Sequence, residues 1–257
     1  MNTEVHALCP AHLISQKKME RLHPMNRTLF SIVLAATVLL STSAVQGQNT
    51  QDKSNFSIAR IKWGSGNGWS FNPQWAHDWP TSEINVMHKL RQVTSIDLTV
   101  DAEVVELDDP RLYEFTFAYM CEVQRCQLSA DEANGMREYL LRGGFLMVDD
   151  SWGAGGLQHF AGQLRRVLPE YTLEEITSDH PIFHSFYSID KIPSIQGRRR
   201  MSAPKCYGIT DEKGRLMVLL NWDNDIGDGW EWAVSDPYEG LKAYKLGINY
   251  ILYSLSH

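Results

Sequence analysis

Residues 143–153 read GGFLMVDDSWG, and this stretch decides the fold. Two glycines end a helix, a run without a polar position follows, and two carboxylates stand where that run stops. A strand apolar on both sides is what a parallel sheet covered by helices on both faces requires. In such sheets ligands gather in the crevice beyond the carboxyl ends of the strands. Asp149 and Asp150 therefore mark the place of a candidate site. Successive strand residues point to opposite faces, so one of the pair is expected to enter the crevice: Asp150, with Asp149 as the alternative.

The pattern extends in both directions. Upstream, Ser129 with Glu132 forms a capping box, and Met136, Tyr139 and Leu140 lie on one face of the helix that Gly143-Gly144 ends. An apolar strand over 115–120 precedes that helix, so strand, helix and strand make a βαβ unit with a right-handed crossover. Earlier still, strands are expected over 56–63 and 103–107, with a helix over 81–93 capped by Thr81 or Ser82. Downstream, a flexible glycine loop over 153–156 leads to a helix over 157–168 and a strand over 171–176. Residues 207–210 and 215–220 form a hairpin about Asp211-Glu212-Lys213-Gly214. Residues 221–238 form a polar, Trp-rich loop, and 241–255 a closing helix. The expected fold class is α/β: a three-layer sandwich with a mostly parallel central sheet.

The amino terminus stands apart. Residues 29–40 (LFSIVLAATVLL) are apolar, follow Arg27, and precede small residues. Twelve such residues are short for a bilayer span and match the layout of a secretory signal peptide. We read 1–48 as a signal-peptide region with Met25 as the true start, an uncleaved anchor being the alternative. Residues 49–55 are read as a flexible segment and 56–257 as one domain. The expected location is periplasmic or secreted, with no membrane span in the mature chain. The whole chain carries a net charge of −7, and the leader takes away four basic residues against Glu4 and Glu20, so the remainder is more acidic still. An acidic surface repels phosphate backbones and excludes nucleic acid as a partner. Export permits a Cys121–Cys126 bridge, leaving Cys206. The lack of a second CxxC or HxxxH pair speaks against a zinc site.

Several constellations are candidates for chemistry. Asp150 can serve as a general base, a metal ligand or a hydrogen-bond anchor for the next loop, or cap the next helix. Asp179-His180 with His184 is the best histidine group, since an adjacent carboxylate tunes an imidazole; the same residues also suit a helix-entry turn capped by Asp179. His77-Asp78-Trp79-Pro80, at the mouth of the first helix, can line the crevice from the other side. The loop from Asn221 to Trp232 alternates oxygen ligands as a calcium loop does, but the required glycine is Ile226 and the closing Glu comes one position early. Its other readings are Asx turns packed by Trp230 and Trp232, or sugar contact through Trp faces with Asp223 and Asp228. Cys121 follows a strand, yet Met120-Cys121-Glu122 lacks the glycine-flanked turn that exposes a nucleophile.

The chain resembles the bacterial DUF4159 family, a domain of unknown function related to the class I glutamine amidotransferase-like fold. The resemblance rests on Trp79 with Leu90-Arg91-Gln92-Val93-Thr94, on residues 128–152, and on Asp179-His180-Pro181-Ile182-Phe183-His184. It continues in 214–221, Gly227-Asp228 with Trp230-Glu231, and Leu246-Gly247-Ile248-Asn249-Tyr250. It implies a three-layer, flavodoxin-like or amidotransferase-like α/β sandwich and fusion partners in the cell envelope, but no established activity. The amidotransferase nucleophile is a Cys in a Gly-containing elbow. Here the comparable strand end is Asp149-Asp150-Ser151, so glutamine hydrolysis is not expected.

The function expected is an exported ligand-binding or accessory protein of the cell envelope, its site at the strand carboxyl ends. The partner expected is an unidentified small molecule or envelope polymer, with other envelope proteins as further partners. The alternative is a hydrolase acting on a carbohydrate or envelope substrate, with Asp150, His180 and Glu231 as acid and base. Asp149, Trp152, Asp223, Asp228 and Trp230 are the ligand-binding candidates; no metal or cofactor is read from the sequence. A third reading makes the acidic loops helix caps alone.

Overall fold

The computed structural model describes residues 55–64, 73–195 and 203–257; the expected leader and residues 49–54 lie outside them. Seven strands form one sheet: β1 (Ile58–Lys62), β2 (Glu103–Glu106), β3 (Phe117–Cys121), β4 (Phe145–Ser151), β5 (Glu174–Ile176), β6 (Lys205–Thr210) and β7 (Leu216–Trp222). Their order is β2-β1-β3-β4-β7-β6-β5. The ladder is parallel from β2 to β7, and β6 alone runs the other way. β4 is thus the middle rung, and every one of its residues is buried.

The helices are α1 (Thr81–Val93), α2 (Ala130–Leu141), α3 (Gly153–Val167), α4 (Ile226–Glu231) and α5 (Pro237–Ser256). Two apolar layers hold them to the sheet. On one face Phe145 and Met147 of β4 meet Met87 and Leu90 of α1, Trp230 of α4 and Leu246 of α5. On the other, Leu146 and Val148 meet Met136 and Leu140 of α2 and Phe160 and Leu164 of α3. Alternation along one strand feeds both layers, which is why 145–148 lacks a polar residue. The capping box is present: the Ser129 hydroxyl accepts the Glu132 N–H at 3.0 Å, and Glu132 accepts the Ser129 N–H at 2.7 Å. Gly143, at φ +110°, ends α2 in a conformation that side chains rarely adopt. No described helix is long and apolar enough to cross a membrane.

Five local expectations need correction. Residues 153–156 are not a loop but the first turn of α3, because the Asp223 carboxylate accepts the Gly153 N–H at 2.9 Å and fixes the helix start. Residues 221–238 are not one loop: α4 forms within them and α5 begins at Pro237. Asp225 and Asp236 cap the two helices by accepting N–H groups three residues on. α1 takes no cap from Thr81 or Ser82; Pro80 is the N-cap, and the Ser82 hydroxyl donates to Glu83. The turn at Pro181–Phe183 is capped by the His180 ring, which accepts the Ile182 N–H, not by Asp179. Cys121, Cys126 and Cys206 are free, buried thiols, without the 121–126 bridge.

Candidate functional site

The strand order reverses direction between β1 and β3. β1 leaves through α1 on one face toward β2, and β3 leaves through α2 on the other face toward β4. The carboxyl ends of two such strands splay their connections apart and leave a crevice. Four acidic residues with left-handed backbones ring this end: Asp78 after β1, Glu122 after β3, Asp150 in β4 and Asp223 after β7. They are the only non-glycine residues with positive φ among those described, at +63°, +50°, +51° and +51°. Short polar side chains tolerate this region best, and such conformations gather at binding and catalytic sites.

His77 stands at the centre. Its Nδ1 lies 3.2 Å from Asp150 Oδ2, 3.6 Å from Asp78 Oδ1 and 3.9 Å from Glu122 Oε1. The hydrogen bond to Asp150 is the main reason its pKa rises to about 9, with the charges of Asp78 and Glu122 adding to it and partial burial opposing it. Asp78 is pushed up to about 8, chiefly by burial and then by Asp228 and Glu231, against the pull of His77 and Arg60. Asp225 is also driven well above the usual carboxylate range, by burial first and then by Asp150, Asp149, Asp228 and Asp78. Carboxylates outnumber cations here, and protons make up part of the difference.

The two residues of the Asp149-Asp150 doublet have different tasks. Asp149 is fully buried on the α4 side, and its Oδ2 accepts the N–H groups of Ile226 and Gly227 at 2.8 Å each. It anchors a helix start, where the dipole favours an anion; burial nonetheless raises its pKa to about 7. Asp150 turns toward His77. Its other oxygen takes the indole N–H of Trp152, and its carbonyl accepts Gln124 Nε2 at 2.8 Å.

Of the remaining sequence candidates, Asp228 joins the crevice. A nitrogen of His77 and carboxylate oxygens of Asp78 and Asp228 lie within 4.8 Å of one another, and so do ligand atoms of His77, Glu122 and Asp150. Glu231 ends α4 near enough to raise Asp78. Trp152 supports Asp150. Asp223 caps α3. Trp230 is a core residue: it is fully buried, donates its indole N–H to Ala243 O at 2.9 Å and sets its ring 5.6 Å from that of Tyr119.

His180 is not brought to Asp150. It packs 5.7 Å from the ring of Tyr253, whose hydroxyl accepts the N–H of Leu216 at the start of β7. Asp150 lies near the other end of that strand, since the adjoining Ser151 pairs with Trp222. After β5 the chain folds back along the sheet toward the last turn of α5, and carries His180 with it.

Sequence reasoning missed the support beneath His77. Arg60 of β1 is fully buried, pairs with Glu83 of α1 at 3.1 Å, stacks 4.3 Å over Tyr119 and donates to the His77 carbonyl. The signal was a cation between Ala59 and Ile61 in the buried part of a strand whose other cation, Lys62, is exposed at its end; arginine is buried only when paired. Glu122 could have been found as the residue that ends an apolar strand beside the aspartates.

The Cys121 thiol is fully buried, points at the carbonyls of Gln74 and Trp75 at 3.4 and 3.6 Å, and is pushed far up by burial. A reactive cysteine needs an accessible thiolate. No curated protein matches the chain. The family model described as "Domain of unknown function (DUF4159)" matches residues 57–255, and the chain belongs to that family.

Proposed function

We propose that this chain is an exported ligand-binding protein of the cell envelope, built on an amidotransferase-like scaffold, with its site in the acidic crevice at the carboxyl ends of β1, β3, β4 and β7. One observation carries the reading: side chains from four separate strand ends, His77 with Asp78, Glu122, Asp150 and Asp228, converge on a single imidazole. Helix capping does not need this group, because Asp149, Asp223 and Asp225 already do that work. The field of the crevice attracts cationic and hydroxyl-rich ligands and repels phosphate esters.

A thermal-shift screen of the full chain, with and without chelator, against amines, oligosaccharides and cell-wall fragments tests this. A ligand at a hundred times its Kd stabilises by about 2.7 kcal/mol, roughly 5–10 °C for a domain of this size. The shift should vanish in Asp150→Asn, which keeps the backbone preference of the site. A shift that persists in that variant, or none in any class, overturns the reading. Fractionation tests export: the chain should be found outside the cytoplasm, and a cytoplasmic chain overturns that part.

A second reading, a hydrolase acting on a carbohydrate or related envelope substrate, is favoured by the His77–Asp150 bond. A carboxylate that orients an imidazole, beside a second carboxyl that stays protonated near neutrality, is the arrangement of an acid–base pair. In this reading His77 takes the place of His180, with Asp150 as its partner and Asp78 or Glu231 as the acid. Release of reducing ends from an oligosaccharide, lost in His77→Gln, distinguishes it from simple binding.

A further inference from the structure

We propose that His77, Asp78 and Asp228 bind a divalent first-row transition-metal ion, an inference that rests on the crevice being the ligand site and names its ligand. Ligand atoms each about 2.0–2.2 Å from one ion lie within roughly 4.4 Å of one another. The three candidate atoms lie within 4.8 Å already, so small side-chain adjustments close the site.

Asp78 supplies the independent observation. Its side chain is 1 % exposed, and neither carboxylate oxygen takes a hydrogen bond. The nearest imidazole nitrogen stands at 3.6 Å. Asp149, Asp150 and Asp223 are each held by N–H donors; Asp78 is not, and a buried carboxylate left this way is costly. The carboxylate reaches over Gly227, where a Cβ would meet Oδ2 at 2.5 Å, and so comes beside Asp228, the next residue. A cation between them would satisfy both.

The donor set chooses the ion. One imidazole with two carboxylates lacks the all-oxygen shell of calcium or magnesium and the thiolates of a structural zinc site, and suits zinc, manganese, iron(II) or cobalt. Three protein ligands leave positions open for water or substrate. The second cluster, with Glu122 and Asp150, is the weaker candidate because Asp150 is already committed to Trp152.

The full chain, stripped with chelator and dialysed, should bind one equivalent of Co²⁺ with a visible absorption band that Zn²⁺ displaces. Asp228→Asn and His77→Gln should weaken binding more than about tenfold while their circular dichroism stays that of the parent, and His180→Gln should leave it unchanged. Asp228 is only half-buried, so its variant keeps the fold. Absence of Co²⁺ and Zn²⁺ binding, or binding untouched by both substitutions, overturns the proposal. A chelator-resistant thermal shift with an organic ligand, alongside no metal binding, overturns the metal alone; loss of both overturns the crevice reading as well.

Discussion

Arg60 and Glu83 form an ion pair at 3.1 Å with neither side chain exposed to solvent, and the pair fastens the first helix to the first strand directly beneath His77. Removing one partner of a buried pair leaves an uncompensated charge. Arg60→Met is therefore expected to cost about 3–5 kcal/mol in urea unfolding. The double variant with Glu83→Leu should recover most of that loss. A double variant as unstable as the single one would mean that the guanidinium matters mainly through its bond to the His77 carbonyl.

Asp149 satisfies two N–H groups at the start of α4. Asp149→Ala strands both donors in the core and is expected to destabilise by about 2–4 kcal/mol, with faster hydrogen exchange at Ile226 and Gly227 of α4 than in the sheet. Asp149→Asn keeps an acceptor and should cost less. Equal losses for the two variants would contradict the anchoring role.

Two glycines separate packing from site geometry. A Cβ at Gly247 would meet the Trp230 ring at 2.4 Å, whereas one at Gly227 would meet Asp78 Oδ2 and the Tyr119 hydroxyl at 2.5 Å. Overpacking costs about 1–3 kcal/mol, so both Gly→Ala variants should lower the melting temperature. Only Gly227→Ala should also abolish the ligand-induced thermal shift.

His180 contributes to pH dependence without belonging to the crevice. Burial, then the charge of His257, holds its pKa below the ordinary 6.5. The unfolded chain thus binds more protons just below that pH, so this contribution to stability is full above 6.5 and declines as the medium is acidified through the folded pKa. His180→Asn preserves an acceptor for the Ile182 N–H. The urea midpoint of that variant should change less between about pH 5 and pH 8 than that of the parent; an unaltered profile would assign the dependence to other groups.

The central rung was legible because its signals are local and agree. Ser129 with Glu132, the Gly143 stop and the apolar run before Asp149 all point to one βαβ unit. α4 was not legible, since Gly227 and Gly229 are poor helix formers and the segment reads as Asx turns. It folds because Asp149, from a strand distant in sequence, receives its first N–H groups, and because both glycines sit where a Cβ would strike Asp78 or Ala243. The crevice was half legible. Asp150 and Asp228 follow from strand ends, but the His77–Asp150 contact spans 73 positions, and no spacing rule reaches that far. His180 looked equivalent to His77 because both have an Asp neighbour. Only the path of the chain after β5 separates them.

The four acidic corners where the strands stop suggest how this protein would behave in the laboratory. Glycine occupies such corners with less strain than Glu122 does. A library selected for heat tolerance alone should therefore accumulate Glu122→Gly and similar replacements, and its survivors should be hardier but blunt. A library selected for retention of cargo should keep the acids and accept a lower melting point. Running the two selections in parallel would show which corners serve the scaffold and which serve its guest.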